Sequence, residues 1–138
     1  MSIYFHNEEC QFKYKGKRKA RSWLRNILVE EKRKEGDLNY IFTDDNTILK
    51  LNSLYLSRQY HTDVIAFNYN EEDVVIGDIY VSIDTVRSNA EKYKTAFLEE
   101  LHRVMVHGLL HLIGYEDETK AQKAKMRERE YFYLSRLP

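Results

Sequence analysis

The stretch that decides the fold is His107-Gly108-Leu109-Leu110-His111-Leu112-Ile113-Gly114-Tyr115-Glu116-Asp117. On a helix, residues four apart lie one above the other on a single face. His107 and His111 stand at that spacing, so two imidazole nitrogens can point at one metal ion. Gly114 can take the left-handed conformation that ends a helix without a Cβ clash. The chain then folds back, and Asp117 arrives where it can add a carboxylate oxygen from outside the helix. Two imidazoles and one carboxylate leave a fourth position open, as expected of a catalytic rather than a structural zinc. The metal helix is predicted over residues 97–113, with Leu101, Val104, Met105 and Leu112 in the core and Thr95 as its N-cap. Apolar residues wrap nearly all round it near His107, which implies a helix buried at the centre of the domain.

Two histidines at helical spacing are by themselves usually coincidence. Glycine at the seventh position after His107 and a carboxylate at the tenth change that. This is the spacing by which metzincin proteases supply two helical ligands, turn at a glycine and supply a third. In a zinc protease, however, the residue after the first histidine is a glutamate that acts as general base. Here it is Gly108, which has no side chain to accept a proton. The metal geometry is protease-like and the protease's base is missing.

His107-Gly108-x-Leu110-His111-Leu112-x-Gly114-Tyr115 closely resembles the signature of the YbeY family, metal-dependent endoribonucleases of rRNA maturation. That signature ends Gly-Tyr-Asp-His, with a third histidine as last ligand; Glu116-Asp117 stands there in this chain. Leu51-Asn52-x-x-Tyr55 followed by Thr62-Asp63-Val64-Ile65-Ala66-Phe67 resembles the family's LN-x-x-Y…T-[DN]-V-L-S-F block, and Gly77-Asp78-Ile79-Tyr80-Val81-Ser82 its G-D-I-x-I-S strand. The resemblance runs in order from about residue 48 to 118.

It implies a YbeY-like α+β fold, a small mixed sheet packed by about five helices around the metal helix. It implies an enzyme that hydrolyses single-stranded RNA phosphodiesters in rRNA maturation and ribosome quality control. The partners implied are precursor rRNA and the small ribosomal subunit or its proteins. One Zn2+ would be held by His107, His111 and Asp117. A carboxylate in place of a third histidine makes a harder site, more accepting of other divalent ions. The family carries an arginine immediately after the tyrosine, where this chain has Leu56. Arg58, two residues further on, is the candidate to reach the same phosphate, and is equally readable as a surface arginine.

Length and composition agree with a globular enzyme. At 138 residues the chain is read as one hydrolase domain, 1–138, large enough to bury a core. A single cysteine, Cys10, excludes a disulfide framework and suits a reducing compartment. No apolar run approaches the length of a membrane span, and the N-terminus lacks the order of a signal peptide, so a cytoplasmic protein is expected. Net charge is zero, with 22 basic and 22 acidic residues, which is unusual for a nucleic-acid enzyme. The basic cluster of Lys13, Lys15, Lys17, Arg18, Lys19, Arg21 and Arg25 is readable as an RNA contact or as a solvated face.

Along the chain, Ser2–Asn7 reads as a strand. Ala20, Trp23, Leu24, Ile27 and Leu28 mark a helix from about Lys17 to Lys34, with Gly36 as its stop. Leu38–Thr43 reads as a strand parallel to the first. Asp44 and Asp45 offer caps for a helix on which Ile48, Leu51, Asn52 and Tyr55 share a face. A loop follows, containing Arg58 and His61, the latter a loop residue rather than a ligand. Residues 64–67 and 74–82 form a hairpin, with Asp78 a polar residue facing the cleft. Asp84 caps a helix reaching Tyr93, and Thr119 with Gln122 forms a capping box for the last helix. Tyr55, Tyr60 and Tyr115 are candidates to stack on bases.

Two rivals stand beside the nuclease. One is a zinc peptidase or other hydrolase, disfavoured by Gly108. The other is a non-catalytic ribosome-associated factor whose metal only fixes the fold.

Overall fold

A computed structural model describes residues 2–55 and 62–137. The elements, in chain order, are β1 (Ile3–Asn7), α1 (Lys17–Glu30), β2 (Lys34–Thr43), α2 (Asp45–Tyr55), β3 (Val64–Asn68), β4 (Val74–Ser82), α3 (Ile83–Tyr93), α4 (Phe97–Ile113) and α5 (Lys120–Leu134). The strands form one sheet in the order β1-β2-β4-β3. β1 runs parallel to β2 and β2 to β4, whereas β3 runs antiparallel to β4 across the hairpin. This is the mixed α+β architecture expected from the sequence, with five helices.

Alternation along the strands divides the buried residues between two sheet faces. Ile3, Leu38, Tyr40, Phe42, Ile79 and Val81 join one hydrophobic cluster with the buried faces of α1, α3, α4 and α5. Ile41, Ile48 and Ile65 are buried outside that cluster, where α2 packs against β3 and β4. α4 is covered almost all round, with Leu101, Val104, Met105, Val106, Leu109, Leu110 and Leu112 essentially inaccessible. Its approach to the sheet depends on Gly108. A Cβ placed there would come within 2.7 Å of Ile79 Cγ2 and 3.2 Å of Val64 Cγ2. The residue that cannot be a proton acceptor is thus the one that lets the metal helix touch the sheet.

Several boundaries differ from the sequence reading. α1 ends at Glu30, and Lys32, at φ 58°, makes the left-handed turn. Gly36 is therefore not a helix stop; it lies inside β2, where a Cβ would meet Ile76 Cγ1 at 2.6 Å and Val75 O at 2.8 Å. Thr95 does not cap α4: the N-cap is Ala96, and no side chain caps the helix. α3 is capped by Ser82, whose Oγ accepts from Thr85 N; Asp84 instead accepts from Asp45 N at 3.1 Å. In α2, Asp44 is the cap, accepting from Thr47 N at 2.9 Å, and Asn52 is buried, but Tyr55 is 67% exposed. Asp78 does not face the cleft. Strand alternation puts it opposite Ile79, on the face where Asn39 Nδ2 donates to its Oδ1 at 3.1 Å.

Candidate metal centre

The two histidines project from the last turns of α4, and the turn beyond them is held at every point. The last four carbonyls of a helix lack intrahelical partners. Here each finds a donor: Leu110 O accepts from Tyr115 N at 3.0 Å, and His111 O from Gly114 N at 3.1 Å. Leu112 O accepts from Asn70 Nδ2 and Ile113 O from Arg33, both at 2.7 Å. The first two bonds are a Schellman closure, and it requires Gly114 at φ 119°. Tyr115 is then pinned by its hydroxyl, which donates to Glu31 Oε1 at 2.9 Å. Beyond the turn, the capping box of Thr119 and Gln122 starts α5. Asp117 is thereby suspended between two fixed helix ends.

The result is a triangle of ligand-capable atoms. His107 Nε2 and His111 Nε2 are 3.0 Å apart, and Asp117 Oδ2 lies 3.3 Å from the first and 3.4 Å from the second. With metal–nitrogen bonds of about 2.0–2.1 Å, the edge of a tetrahedron is about 3.3 Å. The three atoms therefore match in spacing one face of a tetrahedral site. The donor set fits a divalent ion in composition as well as in size. All three residues predicted from the sequence converge, and among the described residues they are the group of histidine and carboxylate side chains that could hold an ion.

Each ring is also turned the right way. Nδ1 of His107 donates to Glu130 Oε2 at 2.5 Å, and Nδ1 of His111 donates to Tyr115 O at 3.1 Å. Both protons sit on the far side, which leaves the Nε2 lone pairs pointing into the triangle. Burial works against a charged His107, but the hydrogen bond and charge of Glu130, with Asp63 and Asp117 behind them, outweigh it and raise its pKa above the ordinary 6.5. Burial lowers that of His111, and the neighbouring His107 lowers it further. The pair thus differ: one ring has a strong anionic partner and the other a neutral carbonyl.

Glu130 went unnoticed in the sequence. It is 5% exposed and belongs to a cluster in which Arg103 reaches Glu130 at 3.2 Å, Glu100 at 2.8 Å and Asp63 at 3.2 Å. A signal existed: Met126, Glu130 and Tyr133 share the buried face of α5, so one carboxylate interrupts an apolar stripe. A buried carboxylate needs a partner, and here the partners are a metal-helix arginine and a ligand histidine.

The triangle opens on a cleft of about 740 Å³ lined by α4, the turn beyond it, β3 and Asn52 of α2. Glu116, Asp117 and Glu118 supply its charge; no Lys or Arg is among its described lining residues. The basic cluster of α1 and the segment before it does not reach it. Arg25 pairs there with Glu35 at 2.8 Å, and Arg21 donates to Ile3 O at 2.8 Å. Tyr115 lines the cleft, while Tyr55 packs edge-on against Phe67. His102 is a satisfied histidine, bonded to the Tyr14 hydroxyl at 2.7 Å. Arg58, Tyr60 and His61 lie outside the described residues.

Comparison with known proteins decides the family. The family profile described as Endoribonuclease YbeY matches residues 2–138. The chain belongs to the YbeY family. It is 44% identical over 124 residues to the endoribonuclease YbeY of Flavobacterium psychrophilum, covering 90% of this chain and 89% of that one. It is 39% identical over 138 residues to that of Parabacteroides distasonis, covering 100% and 97%. A solution structure from Thermotoga maritima superposes with a TM-score of 0.68 at 30% identity, covering 98% of this chain and 88% of that one. The YbeY resemblance read from three motifs therefore extends over the whole chain. No helix among the described residues is long and apolar enough to cross a membrane.

Proposed function

We propose that this YbeY-family chain is a metal-dependent endoribonuclease that hydrolyses phosphodiester bonds of single-stranded RNA in rRNA maturation and ribosome quality control. The observation that carries the reading is the triangle of His107 Nε2, His111 Nε2 and Asp117 Oδ2 at the wall of an open cleft. The relatives' shared name supports the substrate class. One Zn2+ is the ion assigned to these three ligands, and the carboxylate leaves room for other divalent ions. The precursor rRNA and the small ribosomal subunit or its proteins are the assigned partners, in the cytoplasm, and the chain acts as a single domain.

Bound there, a divalent cation supplies Lewis acidity at the phosphoryl oxygen and lowers the pKa of water. The chain's own residues do the rest. His107 and His111 offer neutral nitrogens because Glu130 and the Tyr115 carbonyl hold their Nδ1 protons. Glu130 is turned to the back of His107 and is not a cleft residue, so it serves the ligand rather than the water. Gly108 offers no base, which separates this site from a peptidase's. Arg58 is assigned the charge developing on phosphorus, through bidentate contact.

The test is elemental analysis of protein purified without added metal, beside an Asp117→Ala variant, with cleavage of single-stranded RNA, duplex RNA and peptide. The expected result is about one equivalent of metal, lost in the variant together with single-strand cleavage. Metal-dependent cleavage of peptide and not RNA would overturn the reading. A His111→Ala protein that lacks metal yet restores rRNA processing would leave the non-catalytic factor instead.

A further inference from the structure

β3 ends the sheet, so among the described residues one of its edges faces no other strand. Its register with β4 decides which backbone groups that edge presents. Ser82 N donates to Asp63 O at 2.9 Å and Tyr69 N to Ile76 O at 2.8 Å, in the register that pairs Ile65 with Tyr80 and Phe67 with Asp78. Opposed pairs in an antiparallel ladder alternate between those that exchange hydrogen bonds and those that do not. Asp63, Ile65, Phe67 and Tyr69 therefore direct their backbone groups at β4. Val64, Ala66 and Asn68 turn theirs to the open edge, and all three line the cleft of the metal triangle. Ile79, the register partner of Ala66, is the residue against which Gly108 packs, so Ala66 stands level with the histidine pair. The Thr62 hydroxyl already approaches Val64 O at 3.4 Å, which makes Ala66 the central outward pair.

The chemistry of the cleft says what such an edge would meet. Apart from the ligand Asp117, its described carboxylates are Glu116 and Glu118, which repel non-scissile phosphates and favour an uncharged group on the inside. An outward N–H and C=O from one residue present a donor and an acceptor side by side. That combination complements a base edge, which also carries donors and acceptors in a fixed pattern. In a duplex the Watson–Crick edge is already paired; in a single strand it is exposed.

Resting on the nuclease reading above, we infer that the open edge of β3, centred on Ala66, is a base-reading subsite. Its N–H and C=O hydrogen-bond one unpaired base of the substrate strand, with Asn68 N–H beside it; the Asn68 Oδ1 already accepts from Asn70 N at 2.8 Å. The requirement for an unpaired nucleotide then comes from the sheet edge rather than from the metal.

The direct test uses the zinc-loaded full chain, isotopically labelled and titrated with three probes. These are a mixed-sequence single-stranded hexanucleotide with 2′-O-methyl sugars, the same strand in a duplex, and an extended hexapeptide. The Ala66 and Asn68 amides should shift and gain exchange protection with the single strand alone. Ile65 and Phe67, committed to the ladder, should keep theirs. Failure of the single strand to bind, or binding that leaves Ala66 and Asn68 unmoved, overturns the inference; so does a response to the peptide instead.

Ala66→Pro gives the kinetic arm, because proline is tolerated on an edge strand where the lost N–H faces outward. KM for single-stranded RNA should rise about three- to tenfold, the worth of one uncharged hydrogen bond, while kcat and zinc affinity hold. If the parent protein cleaves no RNA, the nuclease reading fails. If it cleaves and Ala66→Pro matches it in KM and base preference, only the β3 inference fails. Should that variant not fold, the amide titration of the parent protein decides.

Discussion

Replacing Glu130 by Gln separates the holding of a ligand from the ligand itself. The exchange keeps the side chain's shape and removes its charge. Arg103 retains Glu100 at 2.8 Å and Asp63 at 3.2 Å, so no guanidinium is left unpaired and the variant should fold. What changes is the 2.5 Å bond to His107 Nδ1. Outer partners of this kind are worth roughly 10–100-fold in metal affinity. At about 1.4 kcal/mol per decade, that is about 1.4–2.7 kcal/mol. Gln, which still offers an acceptor oxygen, belongs near the low end and Glu130→Ala near the high end. The pH dependence has a definite sign. Glu130 raises the pKa of His107 above 6.5, so in the parent a proton competes for Nε2 as pH falls through that raised value. The Gln variant loses that competition along with the affinity, so its deficit should be largest near pH 8 and shrink toward pH 6. Chelator-competition titrations with zinc at the two pH values measure this, and nitrogen chemical shifts of the ring report the tautomer. Equal affinities near pH 8 with an unaltered ring tautomer would refute the reasoning.

Four further outcomes are expected. Glu31 is desolvated, yet hydrogen bonds from Tyr133, Arg129 and Tyr115 hold its carboxyl below the ordinary 4.5. Its stabilisation is therefore present above that value and lost as pH falls through the lower folded one; Glu31→Gln should cost about 1–3 kcal/mol at pH 7, and denaturant titrations should show the gap closing as pH falls below the ordinary 4.5. Gly108→Glu should not create a peptidase: with Ile79 Cγ2 2.7 Å from the new Cβ, overpacking of about 1–3 kcal/mol outweighs the gain in helix propensity, and the melting temperature should fall. Asp117→His should retain zinc and lose tolerance of manganese, read by competition between the two ions, whereas Asp117→Ala should lose both. Removing metal with a chelator should lower the melting temperature of the parent and leave that of His111→Ala unchanged.

The centre of the molecule was legible from one stretch because its information is local. Helical spacing, a glycine stop and a carboxylate three residues later are set by backbone geometry over about a dozen residues, and His107, His111 and Asp117 meet as that geometry requires. The capping box at Thr119 was readable for the same reason. Caps and stops chosen by tertiary packing were not. Gly36 looks like a helix stop until Ile76 and Val75 are brought against it, and Ser82 rather than Asp84 caps α3 because β4 delivers it there.

The chain alone determined which side chains could bind a metal, since a turn of helix repeats whatever surrounds it. It also determined the family, through motifs that appear in order. The fold alone decided which ring is held by an anion, because Glu130 lies 23 residues beyond His107 and reaches it only when α5 packs on α4. The fold alone likewise decided which backbone groups of β3 face the cleft. Register is a relation between strands, and no strand carries it by itself.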